Sequence, residues 1–101
     1  MAKLLVACVN GAGTSLMMKM TVEKVAKELN LNVTKIHHCS LAEGKSTATQ
    51  YDIVFCPQSF IHMYKDAIEK GVDVVGLRNV LSAAEVKQKL IESGLAEKYK
   101  K

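Results

Sequence analysis

The sequence has no tryptophan, one proline and few aromatic side chains; Tyr51, Phe55, Phe60, Tyr64 and Tyr99 are scattered rather than grouped. That distribution provides no stacking platform of the kind single-stranded nucleic acids use. Positive charge is almost as thin. Of a formal +4, half comes from Lys98, Lys100 and Lys101 set against Glu97, which leaves too little elsewhere for a basic stripe. No nucleic-acid partner is expected. No apolar run approaches the roughly 20 residues of a membrane helix, and the apolar opening, residues 4–9, is shorter than a signal-peptide core with its cleavage site. The chain is therefore expected to be cytoplasmic, with no membrane insertion of its own. Cysteine is scarce too: three residues, an odd number without close spacing, form no disulfide framework and read as thiols in a reducing compartment.

What is present is an ordinary globular composition, 49% hydrophobic and 24% charged over 101 residues, which fits one domain spanning 1–101. Lys3–Cys8, Asn32–His38, Asp52–Phe55 and Asp73–Leu77 are β-rich runs separated by segments of helical length. From Thr14 onward Met18, Val22, Val25, Ala26 and Leu29 trace one buried helical stripe, with Asn30 as its stop. Phe60–Lys70 forms a second helix closed by Gly71, and Ser82 with Glu85 forms a capping box ahead of Val86, Leu90 and Ile91. Residues 40–50, polar and interrupted by Gly44, fit either a short helix or a loop. This alternation predicts an α/β fold: an open four-stranded parallel sheet, order 2-1-3-4, with helices on both faces.

In such sheets ligands sit beyond the carboxyl ends of the strands, where Cys8 lies. After it come Val9, Asn10, Gly11, Ala12, Gly13, Thr14 and Ser15, small or polar residues leading into the first helix. Glycines and small residues let successive N–H groups turn inward around an anion, and the helix aims its positive end at the same point. A phosphate there gains several hydrogen bonds plus roughly 0.3–2 kcal/mol from the helix terminus. The same field favours the thiolate of Cys8 as a nucleophile. A dinucleotide fingerprint would need glycine at Leu16, and a nucleotide-hydrolase loop would need a Gly-Lys-Ser/Thr ending, which is absent.

The arrangement resembles the phosphate loop of low-molecular-weight tyrosine phosphatases and arsenate reductases, in which an arginine closes the loop. Thr14 stands at that arginine's place. An arginine clamp on a phosphoryl group in flight is worth about 10³–10⁵ in rate, or roughly 4–7 kcal/mol. Without it, a phosphocysteine is better suited to being passed on than to being hydrolysed. A hydrolase of the phosphatase or reductase type is the alternative reading.

The Cys8 loop together with "VVGLRNVLSAAEVKQKL", residues 74–90, resembles the enzyme IIB components of the bacterial sugar phosphotransferase system, most closely the ascorbate-type branch, with the galactitol type second. That branch carries glycine directly after the cysteine, where this chain has Val9. The resemblance implies a phosphoryl carrier. Cys8 would accept the group from a phosphohistidine of the IIA component and pass it to the sugar held by the membrane permease IIC, at whose cytoplasmic side the domain would associate. No cofactor is expected.

Leu16, Met17 and Met20 fall off the buried stripe of the first helix and are the expected docking residues for IIA and IIC, methionine suiting a patch that meets two partners. No metal site is expected: Cys39 and Cys56 read as buried small side chains, and His37 and His38 as alternating strand residues. With the first and third strands as neighbours, Cys8 and Cys56 are candidates for a reversible disulfide. His62 reads as a solvated helix position. Arg78, the sole arginine, fits either an anion partner or the turn after the fourth strand.

Overall fold

The computed structural model describes residues 2–8, 12–79 and 82–100, and of residues 12–15 the backbone alone. Strands β1 (Ala2–Cys8), β2 (Val33–Ser40), β3 (Ile53–Pro57) and β4 (Asp73–Leu77) form a parallel sheet in the order β2-β1-β3-β4. The inner strands β1 and β3 carry Leu4, Leu5, Val6, Ile53, Val54 and Phe55, all buried, because each of their faces is covered. Edge strand β2 is only partly buried.

Two apolar cores lie on opposite faces of the sheet. Helix α1 (Ala12–Glu28), α4 (Ala83–Glu92) and α5 (Leu95–Lys98) cover one, where Met18, Val22, Val25, Val86, Leu90 and Leu95 meet Leu4, Val6, Phe55 and Leu77. Each such fully buried Val, Leu or Met contributes about 1.5–3 kcal/mol. The other face carries α2 (Leu41–Thr47), a 3-10 turn Ala48–Gln50, a 3-10 helix Gln58–Tyr64 and α3 (Lys65–Glu69). There Leu41, Ala48, Tyr64 and Ala67 pack on Leu5, Ala7, Val54 and Cys56.

The stripe of α1 is as its spacing predicts, and Asn30 ends it with φ +56°, its N–H bonded to the Lys27 carbonyl and that of Leu31 to Ala26. The helix opens at Ala12 rather than Thr14. The first four amides of a helix need no acceptor within it, so small residues ahead of the stripe join as its first turn. Strand β2 runs on to Ser40 because β1 stays in register with it, Ala7 opposite Cys39 and Cys8 opposite Ser40. Cys39 is thus inside β2, and Cys56 likewise inside β3, which Pro57 closes.

The segment expected as one helix over 60–70 divides at Tyr64. Its 3-10 part, with three residues per turn, lines Gln58, Ile61 and Tyr64 toward the sheet, where Gly76 leaves room for Gln58 and Ile61. Gly71, at φ +94°, caps α3 as expected. Residues 41–47 are helical, and Gly44 is a contact rather than a break: a Cβ there would lie 2.6 Å from the Tyr64 hydroxyl and 3.0 Å from Ala7 Cβ. The Ser82 hydroxyl caps α4 by accepting from Glu85 N–H at 3.2 Å.

Candidate active site

The chain leaves β1 for β2 on one side and then crosses to β3 on the other, so the switch in strand order falls beside β1. Cys8 is the last residue of that strand, at its carboxyl end, with 4% of its surface exposed. This is the crevice position where open α/β sheets bind ligands. Helix α1, 17 residues long, opens four residues later, and its first-turn amides, Ala12 to Ser15, are those a helix leaves without internal acceptors. Val9, Asn10 and Gly11 lie outside the described residues, and of Ala12, Gly13, Thr14 and Ser15 only the backbone is described.

One turn into α1 the predicted docking residues are exposed, Leu16 by 46%, Met17 by 54% and Met20 by 62%, while Met18 between them is buried. Among the described residues no neighbouring helix covers them. They form an apolar patch on the helix whose first turn follows Cys8.

The other thiols are placed differently. Cys8 packs in the core under α1, whereas Cys39 and Cys56 belong to the core under α2 and α3. Val6 is opposite Phe55, so Cys56, one step on, shares a face with Ala7 and not with Cys8. The sheet itself separates the candidate pair Cys8 and Cys56, which rules out the disulfide that neighbouring strands left open. Burial pushes the Cys56 thiol up to about 12, and burial with the nearby Glu43 charge pushes Cys39 up to about 11. Both stay protonated at neutral pH and are poor nucleophiles.

At the carboxyl ends of β3 and β4 a cleft of about 360 Å³ is lined by Pro57, Gln58, Ser59, Leu77 and Arg78. Arg78 is exposed and its Nε donates to Gln58 Oε1 at 3.4 Å. The turn that carries it is held by Glu85, whose carboxylate accepts from the N–H groups of Arg78 at 2.7 Å and Asn79 at 2.8 Å. Burial acts to raise the Glu85 carboxyl, but these two bonds and the Lys89 and Arg78 charges outweigh it and hold it below its ordinary value. The capping box makes Ser82 and Glu85 visible in sequence; the contact back to Arg78 and Asn79 has no sequence signal. His62 is exposed on the 3-10 helix, and His37 and His38 alternate faces on β2.

The family model described as "PTS system, Lactose/Cellobiose specific IIB subunit" matches residues 3–92. The chain belongs to the phosphotransferase-system IIB family. Within that family it is similar to proteins named "Ascorbate-specific PTS system EIIB component" from Escherichia coli O157:H7 and from Salmonella choleraesuis, 34% identical to each over 91 residues, or 89% of this chain and 86% of theirs. The lactose-specific IIB domain of Streptococcus pneumoniae has the same fold, with a TM-score of 0.65 at 22% identity over 89% of this chain and 94% of that one. As a IIB component the protein is in general terms a phosphotransferase. Among the described residues no helix is long and apolar enough to cross a membrane.

Proposed function

We propose that Cys8 is the phosphoryl acceptor and donor of this IIB domain. The observation that carries the reading is its position: the last residue of the inner strand at the strand-order switch, four residues ahead of the positive end of a 17-residue helix. The thiolate sulfur attacks the phosphorus of a phosphohistidine on the IIA partner, the P–N bond breaks, and the imidazole leaves. In the second step a sugar hydroxyl oxygen forms a P–O bond, the S–P bond breaks, and the hydroxyl proton is given up. The residues from Val9 to Ser15 cradle the phosphoryl group through backbone amides and the hydroxyls of Thr14 and Ser15. Thr14 in place of an arginine leaves the phosphocysteine slow to hydrolyse and free to be handed on. The IIC permease supplies the acceptor at the membrane, and the domain works on its cytoplasmic side. The names of the 34% identical relatives favour ascorbate as the substrate.

The test is phosphorylation with phosphoenolpyruvate, the general phosphotransferase proteins and a cognate IIA component, followed by intact-mass measurement. One phosphoryl group is expected, absent in Cys8→Ser and retained in Cys39→Ser. No adduct, together with turnover of an aryl phosphate, would replace this reading with the hydrolase one.

A further inference from the structure

Strand alternation puts His37 and Cys39, two residues apart on β2, on the face opposite Cys8. Helix α2 starts immediately after β2, and its N-cap bond, from Glu43 N–H to Ser40 Oγ at 3.4 Å, fixes the first turn that carries Glu43. A ring nitrogen of His37, the Cys39 sulfur and a carboxylate oxygen of Glu43 all lie within 4.8 Å of one another. The Tyr51 ring stacks on His37 at 6.4 Å and 11°, and Cys39 is 6% exposed, so two of the three donors are held by packing. Glu43 is exposed and free to swing.

We propose that His37, Cys39 and Glu43 form a binding site for a zinc-class divalent cation. A sulfur, an imidazole nitrogen and a carboxylate oxygen are the donor set of a borderline-soft ion, whereas magnesium and calcium take oxygen ligands throughout. In a tetrahedral zinc site such donors are roughly 3.4–3.8 Å apart, given metal–ligand lengths of about 2.0–2.3 Å. Separations of up to 4.8 Å therefore close by up to about 1.0–1.4 Å, a movement the exposed Glu43 side chain supplies. Three protein ligands leave the fourth position to water.

Binding exchanges a proton for the metal. The Cys39 thiol, neutral at pH 7, releases its proton to solvent as the sulfur–metal bond forms, and no redox partner is needed. The Glu43 carboxylate that opposes ionisation of Cys39 in the free protein then shares the cation with it. Besides His37, the groups acting on Cys39 among the described residues are Glu43, Tyr51 and Tyr64, none of them a lysine or arginine. The sheet keeps this site apart from Cys8, so it is separate from the phosphoryl-transfer chemistry proposed above.

Cobalt(II) titration of the reduced protein tests this, since a cobalt–thiolate bond gives a charge-transfer band. One equivalent is expected, with tetrahedral ligand-field bands, displacement by zinc and release of one proton. Cys39→Ser abolishes the charge-transfer band, while His37→Ala and Glu43→Gln each weaken cobalt binding by about tenfold or more. Cys8→Ser leaves the band intact, which separates this site from the other one. Because His37 and Glu43 are not core residues, those variants stay folded even if Cys39→Ser does not, as thermal melts will show. Absence of the band at stoichiometric cobalt, its persistence in folded Cys39→Ser, or its loss in Cys8→Ser overturns the proposal.

Discussion

Cys8 and Cys56 stand near the same end of neighbouring strands but on opposite faces of the sheet, Cys8 beneath α1 and Cys56 beneath α2 and α3. A disulfide requires Cβ atoms about 3.5–4.5 Å apart and directed at one another, which parity forbids here. Cys39 and Cys56 do share a face, but β1 lies between them, so two strand spacings, about 9–10 Å, separate their backbones. Peptide mapping of peroxide-treated protein without reductant is therefore expected to find no link among the three cysteines within a chain. A Cys8–Cys56 cross-linked peptide would contradict the register.

The buried thiols make stability sensitive to alkali. The unfolded chain releases cysteine protons near 9.0, while the folded state holds those of Cys39 and Cys56 to about 11 and about 12. Between these values the folded state binds more protons than the unfolded one, so stability falls as pH rises through this window. Urea midpoints measured from pH 8 to 11 are expected to decline beginning near pH 9, and more gently in Cys56→Ala, which has one proton fewer to lose. A flat profile would mean that these thiols ionise freely in the fold.

Gly44 and Tyr64 set the spacing between α2 and the 3-10 helix. The Tyr64 hydroxyl donates to the Leu41 carbonyl at 3.1 Å, at the place where a Cβ on residue 44 would intrude. Helix propensity alone would make Gly44→Ala stabilising by about 1 kcal/mol. The clash reverses the sign, and a net loss of about 1–3 kcal/mol is expected in chemical denaturation. Tyr64→Phe removes the donor from a buried carbonyl and costs about 1–2 kcal/mol. Since the hydroxyl is also the nearest obstacle, Tyr64→Phe combined with Gly44→Ala should cost less than the two losses added together.

Glu85 ties α4 to the turn that presents Arg78 beside the cleft. Glu85→Gln keeps the shape but removes the charge that strengthens both amide bonds, at a cost of about 1–2 kcal/mol at pH 7. Because the folded carboxyl titrates below its ordinary 4.5, its contribution is present above that pH and is lost as pH falls through the lowered value. Wild type and Glu85→Gln are accordingly expected to converge in stability as the pH is taken below the lowered value of the folded carboxyl.

The sheet, its order and the α1 stripe were legible because apolar periodicity reports directly which side chains face a core, and β1 and β3 are apolar on both faces. The place of Cys8 at the end of β1 was legible because the apolar run stops there, ahead of small and polar residues. Three features escaped. The face of Cys56 depends on its register with β1, which composition does not encode. Gly44 resembles a break in sequence, and only the position of Tyr64, 20 residues on, explains it. His37 and Cys39 show an i, i+2 spacing, but their third donor, Glu43, joins them only because Ser40 starts α2 at once.

Met17, 54% exposed one turn into α1 and flanked by Leu16 and Met20, tests whether that apolar patch is where partners meet the proposed Cys8 site. Met17→Glu places a charge at the centre of the patch without touching the core, where Met18 is the buried neighbour. If the patch docks IIA, burying that unpaired charge costs several kcal/mol of binding free energy and transfer slows by tenfold or more. The melting temperature should stay within a few degrees of wild type, since an exposed substitution changes stability by about 0.5 kcal/mol or less. Stopped transfer with an intact melt assigns the patch to docking, whereas an unchanged transfer rate at limiting IIA moves docking elsewhere, with the Arg78 cleft the next surface to test.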